Sequence, residues 1–153
     1  MRNLAVVLTL LLAAACSHNT IAGTNIPDEP ETRALLDVLN KYKEGMEERN
    51  AQALLALTAP SYYDTSRINR PIDYAALQKE LPADLGKLAG VRLEMTIKDV
   101  KVDGQKANVD FFQVLRYAVR LPDGSEKWQP AQSDDARMKF VQAGGVWKIA
   151  SGL

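Results

Sequence analysis

The chain has 153 residues, of which 46% are apolar and 25% charged, enough to build the core of one ordinary domain. Nineteen Lys and Arg against nineteen Asp and Glu give a formal net charge of zero, which argues against a general nucleic-acid binder, because counterion release needs clustered positive charge. A single cysteine and a single histidine exclude a disulfide framework and an all-Cys/His zinc site.

At the start, Arg2 precedes an apolar run from Leu4 to Leu12 broken only by Thr9, and Ala13-Ala14-Ala15 lead into Cys16. A charged, then apolar, then small-residue order is that of an export signal. The run falls short of the roughly 20 residues that a spanning helix needs. Leu11-Leu12-Ala13-Ala14-Ala15-Cys16 resembles a bacterial lipobox, in which the cysteine is acylated before the preceding bond is cut. The family prefers Leu three places before Cys, where this chain has Ala13, and Ala13-x-Ala15 also suits ordinary signal peptidase at the same bond. The resemblance implies a signal peptide over residues 1–15, a lipid-modified (palmitate-type) Cys16, and anchoring in which each buried methylene contributes about 0.8 kcal/mol. Ser17 in place of Asp after the cysteine implies the outer membrane, facing the periplasm.

Residues 16–30 read as a flexible tether: Ser17 to Pro30 is polar, carries two prolines, and has only Ile21, Ala22 and Ile26 as apolar members. Such a chain reaches roughly 20 Å. His18 lies within it, so the domain, residues 31–153, contains no histidine.

Pro30-Glu31 is a helix start, and Leu35, Leu36, Leu39, Tyr42 and Met46 recur at three- and four-residue steps as one apolar stripe. Gly45 costs this helix about 1 kcal/mol against Ala. Lys41, Lys43, Glu44, Glu47, Glu48 and Arg49 read as its solvated face. Asn50 caps a second, short helix with Leu54, Leu55 and Leu57, ended by Ala59-Pro60. Asp73 caps a third with Leu77 and Leu81, which Pro82 interrupts before a last turn with Leu85 and Leu88 that stops at Gly90.

From Val91 the period changes to two. Val91, Leu93, Met95 and Ile97 alternate, then the apolar phase slips to Val100 and Val102 as a β-bulge would make it. Asp103-Gly104 turns the chain. Val109, Phe111, Leu115, Tyr117, Val119 and Leu121 then share one parity, with Gln113 the exception. At about 3.3 Å per residue this strand runs near 50 Å, so it must curve or bulge, with Phe112 to Val114 as the expected place. Pro122-Asp123-Gly124 turns into a strand over Glu126 to Ser133, a further strand runs from Arg137 to Ala143, and Gly144-Gly145 leads into Val146 to Ala150. Asp134-Asp135 lacks the further oxygen ligands of a calcium site and reads as a turn. Neither a metal nor a cofactor is implied.

Helices followed by a long bent antiparallel sheet make an α+β domain with the helices on one face. The span Tyr42 to Tyr63, Arg137-Met138-Lys139-Phe140-Val141 and Val146-Trp147-Lys148-Ile149 are similar to nuclear transport factor 2-like domains. The resemblance implies a cone: N-terminal helices in the concavity of a curved sheet, Trp147 packed beneath, and a pocket at the wide end. Tyr62, Tyr63, Asp64, Tyr74, Tyr117 and Trp128 are the candidates to line it. The fold hosts binders, enzymes and assembly modules alike. The leading expectation is a non-enzymatic envelope protein that holds a small apolar ligand or docks another envelope protein.

Phosphate-loop, HExxH, CxxC and G-x-S-x-G motifs are absent. An isomerase- or cyclase-type enzyme, with Asp64 as base and a tyrosine as oxyanion donor, is the alternative the resemblance implies. A third reading is an assembly module that dimerises through the outer sheet face, where Phe112, Val114 and Ala118 would be exposed. The anchor has a direct check: Cys16→Ser is expected to abolish labelling by a fatty-acid analogue, and undiminished labelling would refute acylation at Cys16.

Overall fold

The computed structural model describes residues 19–66 and 70–153. The expected signal peptide, Cys16 and His18 lie outside the described residues. The described part of the expected tether closes on itself. Thr20 bridges Pro27, Ile21 N–H donates to Ile26 O, Asp28 N–H donates to Asn19 O, and Ile26 is buried. The Asp28 carboxylate then receives a forked pair of hydrogen bonds from Arg33 in the first helix.

Helix α1 (Pro30–Glu47) begins on its proline and buries Thr32, Leu35, Val38, Leu39, Tyr42 and Gly45. The stripe is therefore turned slightly from the expected one: Val38 and Gly45 take its centre, and Leu36 and Met46 flank the core. Gly45 is where α1 touches α2 (Ala51–Leu57), since a Cβ there would stand 2.9 Å from Leu54 Cδ2. Arg49 takes φ 57°, and the bonds Asn50 N–H to Gly45 O and Arg49 N–H to Met46 O close α1 as a Schellman turn. Asn50 and Asp73 cap as expected, their side-chain oxygens accepting from Ala53 N–H at 3.0 Å and Ala76 N–H at 2.8 Å.

Two departures concern α3 (Tyr74–Gly86) and the charged face of α1. Pro82 does not break α3, which continues to Gly86 with Leu77, Leu81 and Leu85 buried along one side. The burial of that leucine row outweighs the one backbone bond that a proline forfeits. Leu88 and Gly90 belong to the following strand. On α1, Glu47 and Arg49 are not merely solvated: Glu47 Oε1 accepts from Leu93 N–H at 3.0 Å, and Arg49 donates to Leu88 O at 2.7 Å.

The sheet is built on the hairpin of β3 (Leu88–Asp103) and β4 (Lys106–Arg120). Short strands β1 (Tyr63–Asp64) and β2 (Ile72–Asp73) pair separately. The long strand pairing shifts twice, between Leu88 and Gly90 and between Ile97 and Asp99, so Ala89 and Lys98 are extra residues in β3. The second shift is the phase slip read from Ile97 to Val100. No bulge falls within β4 at Phe112 to Val114; that stretch pairs in unbroken register, and its partner carries the bulges.

The strands expected over Glu126 to Ser133 and from Arg137 are two pieces of one line beside β4: β5 (Glu126–Trp128) and β6 (Gln132–Ala143), separated around Pro130, which has no N–H for a ladder. Asp134-Asp135 consequently lies inside β6, not in a turn. β7 (Val146–Ser151) completes the order β3-β4-β6-β7. Leu93, Val109, Phe111, Met138, Phe140, Trp147 and Ile149 line the inner face and pack with Leu35, Leu39, Tyr42 and Leu54 in one core. The expected α+β cone with helices in the concavity is the observed architecture. Asn50→Ala is expected to lower stability by about 1 kcal/mol in chemical denaturation, and Phe111→Ala by about 3–5 kcal/mol.

Candidate functional site

Asp64 ends β1, where the chain passes under the last residues of the sheet. It is buried to 2% exposure, and both oxygens of its carboxylate are hydrogen-bonded. Oδ1 accepts from Ser66 N–H at 2.7 Å and Oδ2 from Gly152 N–H at 2.8 Å. The Tyr62 hydroxyl, itself fully buried, stands 3.2 Å from Oδ2 and 3.1 Å from Leu153 O, and accepts from Leu153 N–H at 3.2 Å. Burial pushes the Asp64 pKa up, but hydrogen bonds from the Ser66 side chain and N–H, the Gly152 N–H and Tyr62 outweigh it and hold the carboxyl below its ordinary value of 3.8. Gly152 is required in this clasp, because at φ 97° a Cβ would meet Arg137 O at 2.6 Å.

Beside the clasp, β6 extends past the end of β7, leaving a polar cleft of about 470 Å³. Asp64, Thr65 and Ser66 form one wall, Ser151 to Leu153 another, and Gln113, Asp134 and Ala136 contribute from the sheet. Gln113 and Asp134 are direct cross-strand partners, with Gln113 Nε2 donating to Asp134 Oδ1 at 2.9 Å. Burial, aided by the negative charge of Asp134, pushes the Tyr42 phenol up to about 12. Gln113 is the polar break in the alternation of β4, a visible sign in the sequence. Asp134 escapes sequence reasoning because its place in β6 depends on where Pro130 ends the preceding strand.

The six residues expected to line one pocket do not converge. Only Asp64 borders the cleft. Tyr62 stands behind it, and Tyr63 points out, 56% exposed. Tyr74 packs half-buried against the core from the start of α3. Tyr117 pairs with Val91 toward the far end of β4. Trp128 lies opposite Ala118 on the outer face of the sheet, 44% exposed, and Ala118, expected to be exposed there, is fully buried. Phe112 is exposed on that face and Val114 half-buried. Among the described residues no three His, Cys, Asp or Glu side chains are grouped to hold a metal.

No family model and no curated protein matches the sequence. Solved structures match the fold. A candidate dehydratase of the NTF2-like family from Streptomyces avermitilis superposes with a TM-score of 0.66 at 16% identity, over 80% of this chain and 94% of that one. A candidate scytalone dehydratase from Novosphingobium aromaticivorans gives 0.64 at 19% identity, over 79% and 80%. A protein with a cystatin-like fold from Caulobacter vibrioides gives 0.64 at 17%, over 79% and 85%. The chain has the nuclear transport factor 2-like fold, and identities at this level carry the fold alone.

A depressed Asp64 pKa stabilises the folded state fully above the unfolded value near 3.9, and that contribution is lost as pH falls through the lower folded value. Asp64→Asn is therefore expected to cost about 2 kcal/mol at pH 7 and to flatten the loss of stability below about pH 4, as read by denaturant titrations across pH.

Proposed function

We propose that the chain is a lipid-anchored protein of the bacterial envelope, tethered through Cys16 to the outer membrane, whose domain works by binding rather than by catalysis through Asp64. The observation that carries the reading is the clasp at Asp64. A general base works best with a pKa near working pH, whereas this carboxylate is buried, accepts an N–H on each oxygen and is acidified.

The cleft beside Asp64 is too polar for the expected small apolar ligand. A groove of about 420 Å³ between α1 and the open edge of β3 suits it better, with Leu36, Leu39, Met95 and Ile97 along its sides and Asn40 and Lys43 among its lining. Docking of a second copy is supported by Phe112 and Val114 on the outer face, where the Lys98–Asp135 ion pair runs across the Phe112 ring and Arg137–Asp110 flanks it.

A second reading, an isomerase- or dehydratase-type enzyme, is favoured by the meeting of Asp64 and Asp134 in one cleft, with the Asp134 charge felt at the buried Tyr42 phenol. Two variants separate the readings. Met95→Asn is expected to weaken uptake of the apolar probe N-phenylnaphthylamine by about ten- to a hundredfold, as a desolvated side chain contributes about 1.5–3 kcal/mol; a wild-type protein that takes up no probe would remove the groove as a ligand site. Asp134→Asn is expected to leave that uptake unchanged, and a turnover abolished by it would establish the enzyme instead.

A further inference from the structure

On the outer face of the sheet, Arg92 of β3 and Arg116 of β4 stand directly opposite each other, both exposed. Like charges at such a position repel. Arg33, Arg70 and Arg137 each meet a carboxylate, but among the described residues neither Arg92 nor Arg116 has one within ion-pair distance. Glu94, two residues along the same face, stands opposite Val114. Glu47, whose charge does feel Arg92, is already bonded to Leu93 N–H and Lys43.

Trp128 walls this arginine pair. Its ring covers Gly90, where a Cβ would stand 3.1 Å from Cη2 and Cζ2, and it seals Ala118 from solvent. The Arg92 guanidinium lies 5.1 Å from the ring centroid. Together with Arg116, Gln129, Pro130 and Ala131 these groups enclose a recess of about 350 Å³ that no acidic residue lines. The bulge at Ala89 sets the register of Gly90, so the seat of the indole is built into the bend of the sheet.

We propose that this recess is a binding site for a phosphate group carried on an apolar or planar body. One guanidinium fork already saturates a carboxylate, whereas two forks side by side match the several oxygens of a phosphate. The exposed part of the indole and Pro130 receive the attached body. The chemistry is shared by a soluble phosphate ester and by the headgroup of an anionic phospholipid.

The test is a titration of the full-length protein followed through its two indole N–H NMR signals, using phenyl phosphate, inorganic phosphate, and vesicles of phosphatidylcholine with or without phosphatidylglycerol. Phenyl phosphate is expected to move the Trp128 signal and leave that of buried Trp147 in place. Arg92→Gln and Arg116→Gln each weaken binding about tenfold, as loss of a charged hydrogen bond predicts, and Arg116→Lys falls between. Trp128→Ala weakens phenyl phosphate more than inorganic phosphate, read by calorimetry. Binding to phosphatidylglycerol vesicles that Arg116→Gln removes identifies a headgroup as the source; binding of the soluble ester alone identifies a free ligand. Absence of binding in both arms, or binding that survives both arginine substitutions (an adventitious ion only), overturns the proposal.

Discussion

The bend of the β3–β4 hairpin governs what else this molecule can do. Sixteen residues of β3 are held against fifteen of β4, and extra residues at Ala89 and Lys98 lie on the same strand. Bulges of this kind increase the local twist and bend the strand that carries them. The bent wall offers α1 a surface to rest on, so that Leu35, Leu39 and Tyr42 meet Leu93, Phe111 and Met138 in a single core. The outer recess at Trp128 sits on Gly90, beside the first of those extra residues.

The Asp64 clasp is a structural element before it is anything else. Tyr62 and Asp64 read in the sequence as a phenol beside a candidate carboxylate base. In three dimensions they are a fastener that holds the last strand to the loop after α2, helped by the bond from Ala59 N–H to Ile149 O at 2.8 Å. The side chains that line open recesses lie elsewhere: Gln113 and Asp134 at the cleft, Leu36 and Met95 in the groove, Arg92 and Trp128 outside.

The sequence makes the framework legible wherever a local rule decides. Asn50 and Asp73 announce their helices because a capping side chain needs only its own next turn. The slip from Ile97 to Val100 announces a bulge because alternation has an unambiguous parity. Pro82 misleads because the burial of Leu81 and Leu85 is a tertiary fact that overrides a local penalty. Trp128 and Asp134 mislead for a different reason: their faces depend on the interruption at Pro130, whose length follows from pairing to β4 and not from composition. Site geometry is therefore less readable than fold, since it is assembled across elements with no sequential relation.

Glu47 and Arg49 carry one more consequence. β3 is the first strand of the sheet, and its outward N–H and C=O groups form an open template on which a second chain could extend the ladder. The carboxylate on Leu93 N–H and the guanidinium on Leu88 O occupy two of those positions from the end of a helix. A charged pair that reads as helix surface thus doubles as a guard against edge-to-edge aggregation, which matters most for a protein crowded against others of its kind.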